Sequence, residues 1–160
     1  MRVLFLTLYP QLAASSRYRV HQFLPYLRES GFECDVWPAM TEAWYPRLTG
    51  STRRYPTAFY HLLETPRRLM QLIDARLYDV VVVQKALLTA YVRGFGALAR
   101  SRATRVVLDL DDAVHLEQPH PLRRPWSALT NPDQVRELIR NADLVLAGNA
   151  FLAEQAARSA

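Results

Sequence analysis

Five short apolar runs alternate along the chain with longer segments of helical periodicity. Residues 2–8 (RVLFLTL), bounded by Pro10, read as a first strand buried on both faces. Residues 32–36 (FECDV) alternate and read as a second. Residues 79–83 (DVVVV), 105–110 (RVVLDL) and 143–147 (DLVLA) complete the set. Between the first two, residues 16–30 place Val20, Phe23, Leu24 and Leu27 on one helical face. Ser15 or Ser16 is positioned to cap that helix and Gly31 to end it. Pro25 removes an internal hydrogen bond, so a kink or split is expected.

Residues 57–77 carry Phe59, Leu62, Leu63, Leu69, Met70 and Ile73 at helical spacing, broken by Pro66. Residues 86–100 read as helical despite Gly94 and Gly96, and residues 149–158 form a last helix. Asn131 and Pro132 open the helix before it, in the cap and first-turn positions. Two segments read as loops: 37–55, with Trp37, Trp44, Tyr45 and Tyr55, and the Pro-rich 113–130. Strict strand–helix alternation with apolar strands predicts a Rossmann-like, doubly wound parallel sheet covered on both faces.

In such sheets ligands bind beyond the carboxyl ends of the strands, near the switch in strand order. The residues following each strand are therefore the candidates. Tyr9 to Ser16 and then Arg17, Tyr18 and Arg19 follow the first. Gln84 and Lys85 follow the third, Asp111, Asp112 and His115 the fourth, and Gly148 and Asn149 the fifth. Each also has a plainer role. Arg17 and Arg19 suit a solvated helix face, Tyr18 a core, and Lys85 a strand end. At least one of Asp109, Asp111 and Asp112 is expected to cap backbone or pair with an arginine. Trp44 and Tyr45 would stack on a sugar ring or pack beneath their loop.

Composition narrows the chemistry. The 160 residues suit one domain with a single core. Twenty basic against 15 acidic residues leave a net charge of +5, nearly all of the basic ones arginine, with Lys85 the one lysine. The excess admits an anionic partner, yet the arginines are scattered in pairs rather than gathered, which argues against nucleic-acid binding. Cys34 is alone, so neither a disulfide framework nor a cysteine metal site is expected, and a cytoplasmic setting fits. The opening MRVLFLTLYP is too short for a signal segment or a bilayer span. Peripheral contact with a membrane stays open. The glycine-free turn after the first strand excludes a dinucleotide fingerprint, and no P-loop is present.

Asp109-Leu110-Asp111-Asp112 comes near the loop of haloacid dehalogenase-like phosphatases, where Asp109 would be nucleophile and Asp111 general acid. That motif normally opens its domain, and Ala113 replaces the usual threonine. The order of "RVLFLT", "SSRYRVHQFLPYLRESGFECDVW", "DVVVVQK", "VVLDLDDAVH" and "NADLVLAGNAFLAEQA" resembles the N-terminal half of GT-B glycosyltransferases of the group 1, family 4-like type. The first loop departs from the pattern, with Ala13-Ala14-Ser15-Ser16 where many relatives carry paired glycines.

The resemblance implies that residues 1–160 are the acceptor-side domain of an enzyme that moves a sugar from a nucleotide-sugar to a polysaccharide or glycolipid acceptor, with retention. The donor would be held by a C-terminal domain absent from this chain, leaving the chain alone inactive. Asp111, Asp112 and His115 would be the catalytic group. Ser15, Ser16, Arg17, Tyr18, Arg19, Gln84 and Lys85 would bind acceptor, with Arg17 and Arg19 orienting an anionic one. No metal and no cofactor beyond the nucleotide-sugar substrate is implied. The setting implied is the inner face of a bacterial membrane. A non-catalytic binding module is the alternative of a different class.

Overall fold

In the computed structural model, residues 1–49, 57–88, 94–103, 105–111 and 134–159 are described. Asp112, His115, the 113–130 loop and the Asn131-Pro132 cap lie outside them. Five parallel strands, β1 (Arg2–Thr7), β2 (Glu33–Pro38), β3 (Val80–Gln84), β4 (Val106–Leu110) and β5 (Leu144–Ala147), form one sheet in the order β2-β1-β3-β4-β5. All four predicted internal connections run through helices, as parallel pairing requires. The chain steps outward from β1 to β2, then returns to the other side of β1 for β3. The loops after β1 and β3 therefore diverge and leave a crevice between them.

The alternation inside each strand splits the core into two layers. Leu4, Leu6, Val81, Val83, Val106, Leu108 and Leu110 face α4 (Thr57–Asp74), α5 (Phe95–Arg102), α6 (Gln134–Asn141) and α7 (Ala150–Ser159). Val3, Phe5 and Cys34 face α1 (Ala14–Arg19) and α2 (Leu24–Glu29). That second layer reaches no further than β3. On β5, Leu144 and Leu146 are 53 % and 46 % exposed. Among the described residues both faces of the doubly wound sheet are covered, the second most fully over β1 to β3, with Leu144 and Leu146 on β5 half-exposed.

The first helical segment is split, as Pro25 suggested. The break falls at Val20 (φ −126°, ψ −65°), a 3-10 turn spans His21–Phe23, and Pro25 sits in the first turn of α2, where its missing N–H costs nothing. Gly31 (φ +86°) ends α2. Its N–H donates to Arg28 O and that of Phe32 to Leu27 O, the two-bond closure that a left-handed glycine permits. Neither serine caps α1. The position before it is Ala13, with no side-chain cap.

Three other expectations change. Pro66 does not break α4; it lies on the solvent side, where water can take the carbonyl it leaves unbonded. A short helix, α3 (Tyr45–Thr49), occupies part of the 37–55 loop. Ala86–Leu88 are buried and non-helical, and α5 begins only at Phe95, after Gly94 at φ +82°.

Candidate functional site

The carboxyl ends of β1 and β3, where the chain turns to opposite sides, are bordered by α1 and by the turn after β3. Within α1, residues 16 and 19 share one face and point at the sheet. Ser16 is fully buried. Its hydroxyl donates to Tyr9 O at 2.8 Å and lies 3.5 Å from Gln84 Oε1. Thr7 Oγ1 donates to the same Tyr9 carbonyl at 2.9 Å. Arg19 reaches across to Asp109 with both arms of its guanidinium, Nε at 3.1 Å from Oδ2 and Nη2 on Oδ1. Asp109 is only 5 % exposed. Its hydrogen bond raises the Arg19 pKa against the opposing effect of burial, and the charges of Asp109 and Asp111 add to the rise.

The turn after β3 is strained. Lys85 has φ +66°, the one non-glycine in the left-handed region among the described residues. Ala86 N donates to Gln84 O at 2.9 Å, closing a three-residue turn around Lys85. Such a turn with positive φ is rare and costs about 1–3 kcal/mol. Lys85 is nearly buried, and its Nζ lies 3.4 Å from Asp111 Oδ2. Gln84 pairs in register with Asp109 on the neighbouring strand and has no exposed surface. Its Nε2 makes no hydrogen bond among the described residues, which costs about another 1–3 kcal/mol. Whole-domain stability is commonly about 5–15 kcal/mol. Two such defects on adjacent residues are a large concession to place at one spot.

Ser16, Arg19, Gln84, Lys85 and Asp111 are therefore brought together, with Asp109 as the link between them. Ser15, Arg17 and Tyr18 are not. Arg17 and Tyr18 project from the outer side of α1, the Arg17 guanidinium 5.9 Å from the Tyr18 ring, and Tyr18 is 63 % exposed. Trp44 and Tyr45 pack within the chain, against Tyr60 at 5.7 Å and Tyr9 at 5.9 Å. Asn149 caps α7 through Oδ1, which accepts from Leu152 N at 2.9 Å. Gly148 N donates to Leu110 O.

Sequence reasoning missed Arg68, whose guanidinium is fully buried under this rim. It donates to Thr7 O at 2.6 Å, Trp37 O at 3.1 Å, Leu87 O at 2.8 Å and Gln71 Oε1 at 2.9 Å. One side chain thus ties the ends of β1 and β2 to the segment after β3. Burial lowers its pKa to about 10, partly offset by the charge of Glu64. The available signal was Tyr60, Glu64, Arg68 and Gln71, polar residues recurring along one side of the 57–77 helix.

The β2-β1-β3-β4-β5 order defines a doubly wound α/β domain with buried polar residues at its switch point. No family model matches the chain and no curated protein matches it. Among solved structures it is similar to a protein provisionally named a quinone reductase, from Klebsiella pneumoniae, at 13% identity over 99% of this chain and 82% of that one, with TM-score 0.43. It is also similar to a conserved protein from Enterococcus faecalis V583, at 11% identity over the whole of both chains, with TM-score 0.39. No helix among the described residues is long and apolar enough to cross a membrane.

Proposed function

We propose that this chain is the acceptor-side domain of a group 1-type GT-B glycosyltransferase, and that its crevice holds an uncharged, hydroxyl-rich acceptor. The observation that supports this reading is the strained Lys85 turn beside the buried Gln84 amide. Lys85 and Asp111, which keep a little exposed surface at this rim, offer a donor and an acceptor that suit sugar hydroxyls, which both donate and accept. The buried Gln84 and Ser16 hold the rim in shape beneath them. The charges also favour a neutral ligand. Arg19 is taken by Asp109 and Lys85 by Asp111, so the two cations are compensated where a phosphate would need them free. Arg17, on the outer side of α1, has no part in this reading.

In a glycosyl transfer, carboxylate charge near the developing oxocarbenium centre is valuable; on this reading Asp111 would supply it by giving up its pairing with Lys85. Retention and a nucleotide-sugar donor held by a second domain belong to the same proposal. The pairing of Asp109 with Arg19 weighs against the phosphatase alternative, whose nucleophile would be that carboxylate.

The test is amide chemical-shift mapping on the 160-residue chain with a panel of neutral oligosaccharides, a nucleoside diphosphate and inorganic phosphate. A saccharide is expected to shift Ser16, Gln84 and Lys85. Lys85→Ala is expected to weaken that binding about tenfold, equivalent to about 1.4 kcal/mol. Shifts at those amides from phosphate or nucleotide alone, or from nothing in the panel, would overturn the reading.

A further inference from the structure

Helix α4 buries polar groups beside the fully buried Leu72 and turns most of its other apolar side chains outward. Its polar side, with Tyr60, Glu64 and Arg68, is buried against the strand ends. Its apolar side faces solvent: Leu62 is 68 % exposed, Met70 61 %, Leu63 48 % and Leu69 39 %, and Leu77 just beyond the helix is 53 % exposed. Together these side chains leave bare on the order of 400–500 Å² of contiguous apolar surface, as much as an entire monomer usually shows in its largest patch. Two such patches face to face bury about 1,000 Å², the lower limit for a specific interface.

The spacing says what kind of partner fits. Leu63, Pro66, Met70, Ile73 and Leu77 follow the alternating three- and four-residue steps of a helix–helix seam. Arg67 and Asp74 border it on one side, seven residues apart. Arg67 is exposed and Asp74 half-buried, and neither is ion-paired among the described residues. At a rise of 1.5 Å per residue they are about 10 Å apart along the axis and cannot meet each other.

We propose that α4 packs antiparallel against α4 of a second copy of this chain, about a two-fold axis near Met70. In that arrangement like borders face each other, and Arg67 of each copy meets Asp74 of the other, the reciprocal pairing a two-fold interface imposes. Parallel packing would instead set Arg67 and Asp74 against the opposite border, where Leu62 and Leu69 lie, and bury charge against leucine. A membrane surface fits less well. An interfacial helix carries cations along its polar borders, whereas Asp74 lies on one of these.

Sedimentation equilibrium of the 160-residue chain tests the proposal. A monomer–dimer equilibrium with Kd on the order of micromolar is expected for an interface this small. Met70→Glu should give a monomer with unchanged circular dichroism and melting. Arg67→Asp and Asp74→Arg should each weaken the dimer about tenfold, and the double exchange should restore it. Three results would overturn the proposal: a chain that stays monomeric at about 100 µM, a double exchange no better than the single variants, or a monomer that floats with phosphatidylglycerol vesicles.

Discussion

Arg68 carries the heaviest single burden among the described side chains. A guanidinium can satisfy several carbonyls at once because its donors form a fixed planar fork, and here it meets three strand-end or loop carbonyls and one amide. Replacing it with methionine keeps the volume but strands those acceptors beside Glu64, itself only 2 % exposed. Arg68→Met is expected to cost about 3–5 kcal/mol in urea unfolding; a loss under about 1 kcal/mol would mean the carbonyls find other donors. The polar stripe of Tyr60, Glu64, Arg68 and Gln71 was in the sequence, but neither the burial of Arg68 nor the strain at Lys85 was. Arginine identity says nothing of burial, and a positive φ at lysine leaves no compositional mark.

At the scale of elements, the helix end that was legible is the one whose chemistry is local. The expected serine cap of α1 and the expected start of the 86–100 helix were not found. Gly31 closes α2 because the closure needs a left-handed residue, and that requirement is local. Nothing lies within 4 Å of where a Cβ would stand on Gly31, so Gly31→Ala should act through backbone strain alone and cost about 1–2 kcal/mol, measured as a shift in the urea midpoint. The faces were another matter. Periodicity located α4 but left open which side meets the sheet; the structure turns Leu62, Leu63, Leu69 and Met70 outward and buries Tyr60, Glu64, Arg68 and Leu72. A helix with two coherent faces does not say which of them meets the sheet. Three carbonyl ends that needed a donor chose the face with Arg68.

For the whole molecule, the buried titratable groups set how stability responds to alkaline pH. Burial pushes the Tyr78 phenol up to about 12, reinforced by its hydrogen bond to Asp35 at 2.7 Å. A group whose folded pKa exceeds its unfolded value of about 10 stabilises fully below pH 10 and loses that contribution as pH rises toward 12. Arg68, lowered to about 10, acts in the opposite sense over the same window, its burial penalty easing as it deprotonates. The two are separable by comparison. Tyr78→Phe should unfold less steeply with pH between 10 and 12 than the unaltered chain, in urea midpoints taken at both limits. An identical slope would mean Tyr78 ionises freely.

The amino-acid sequence by itself determined the class of fold, because five apolar runs separated by helical segments can bury their backbones only as a parallel sheet. It also named most of the rim, Ser16, Arg19, Gln84, Lys85 and Asp111, because carboxyl strand ends are identifiable once strands are. Tertiary structure alone decided the rest. Helix rotation sent Arg17 and Tyr18 outward and Arg19 inward. Strand register set Gln84 beside Asp109 and so made Asp109, not its neighbours, the partner of Arg19. Local pattern fixes what a segment becomes, whereas pairing across 90 residues depends on which surfaces the finished sheet leaves unsatisfied.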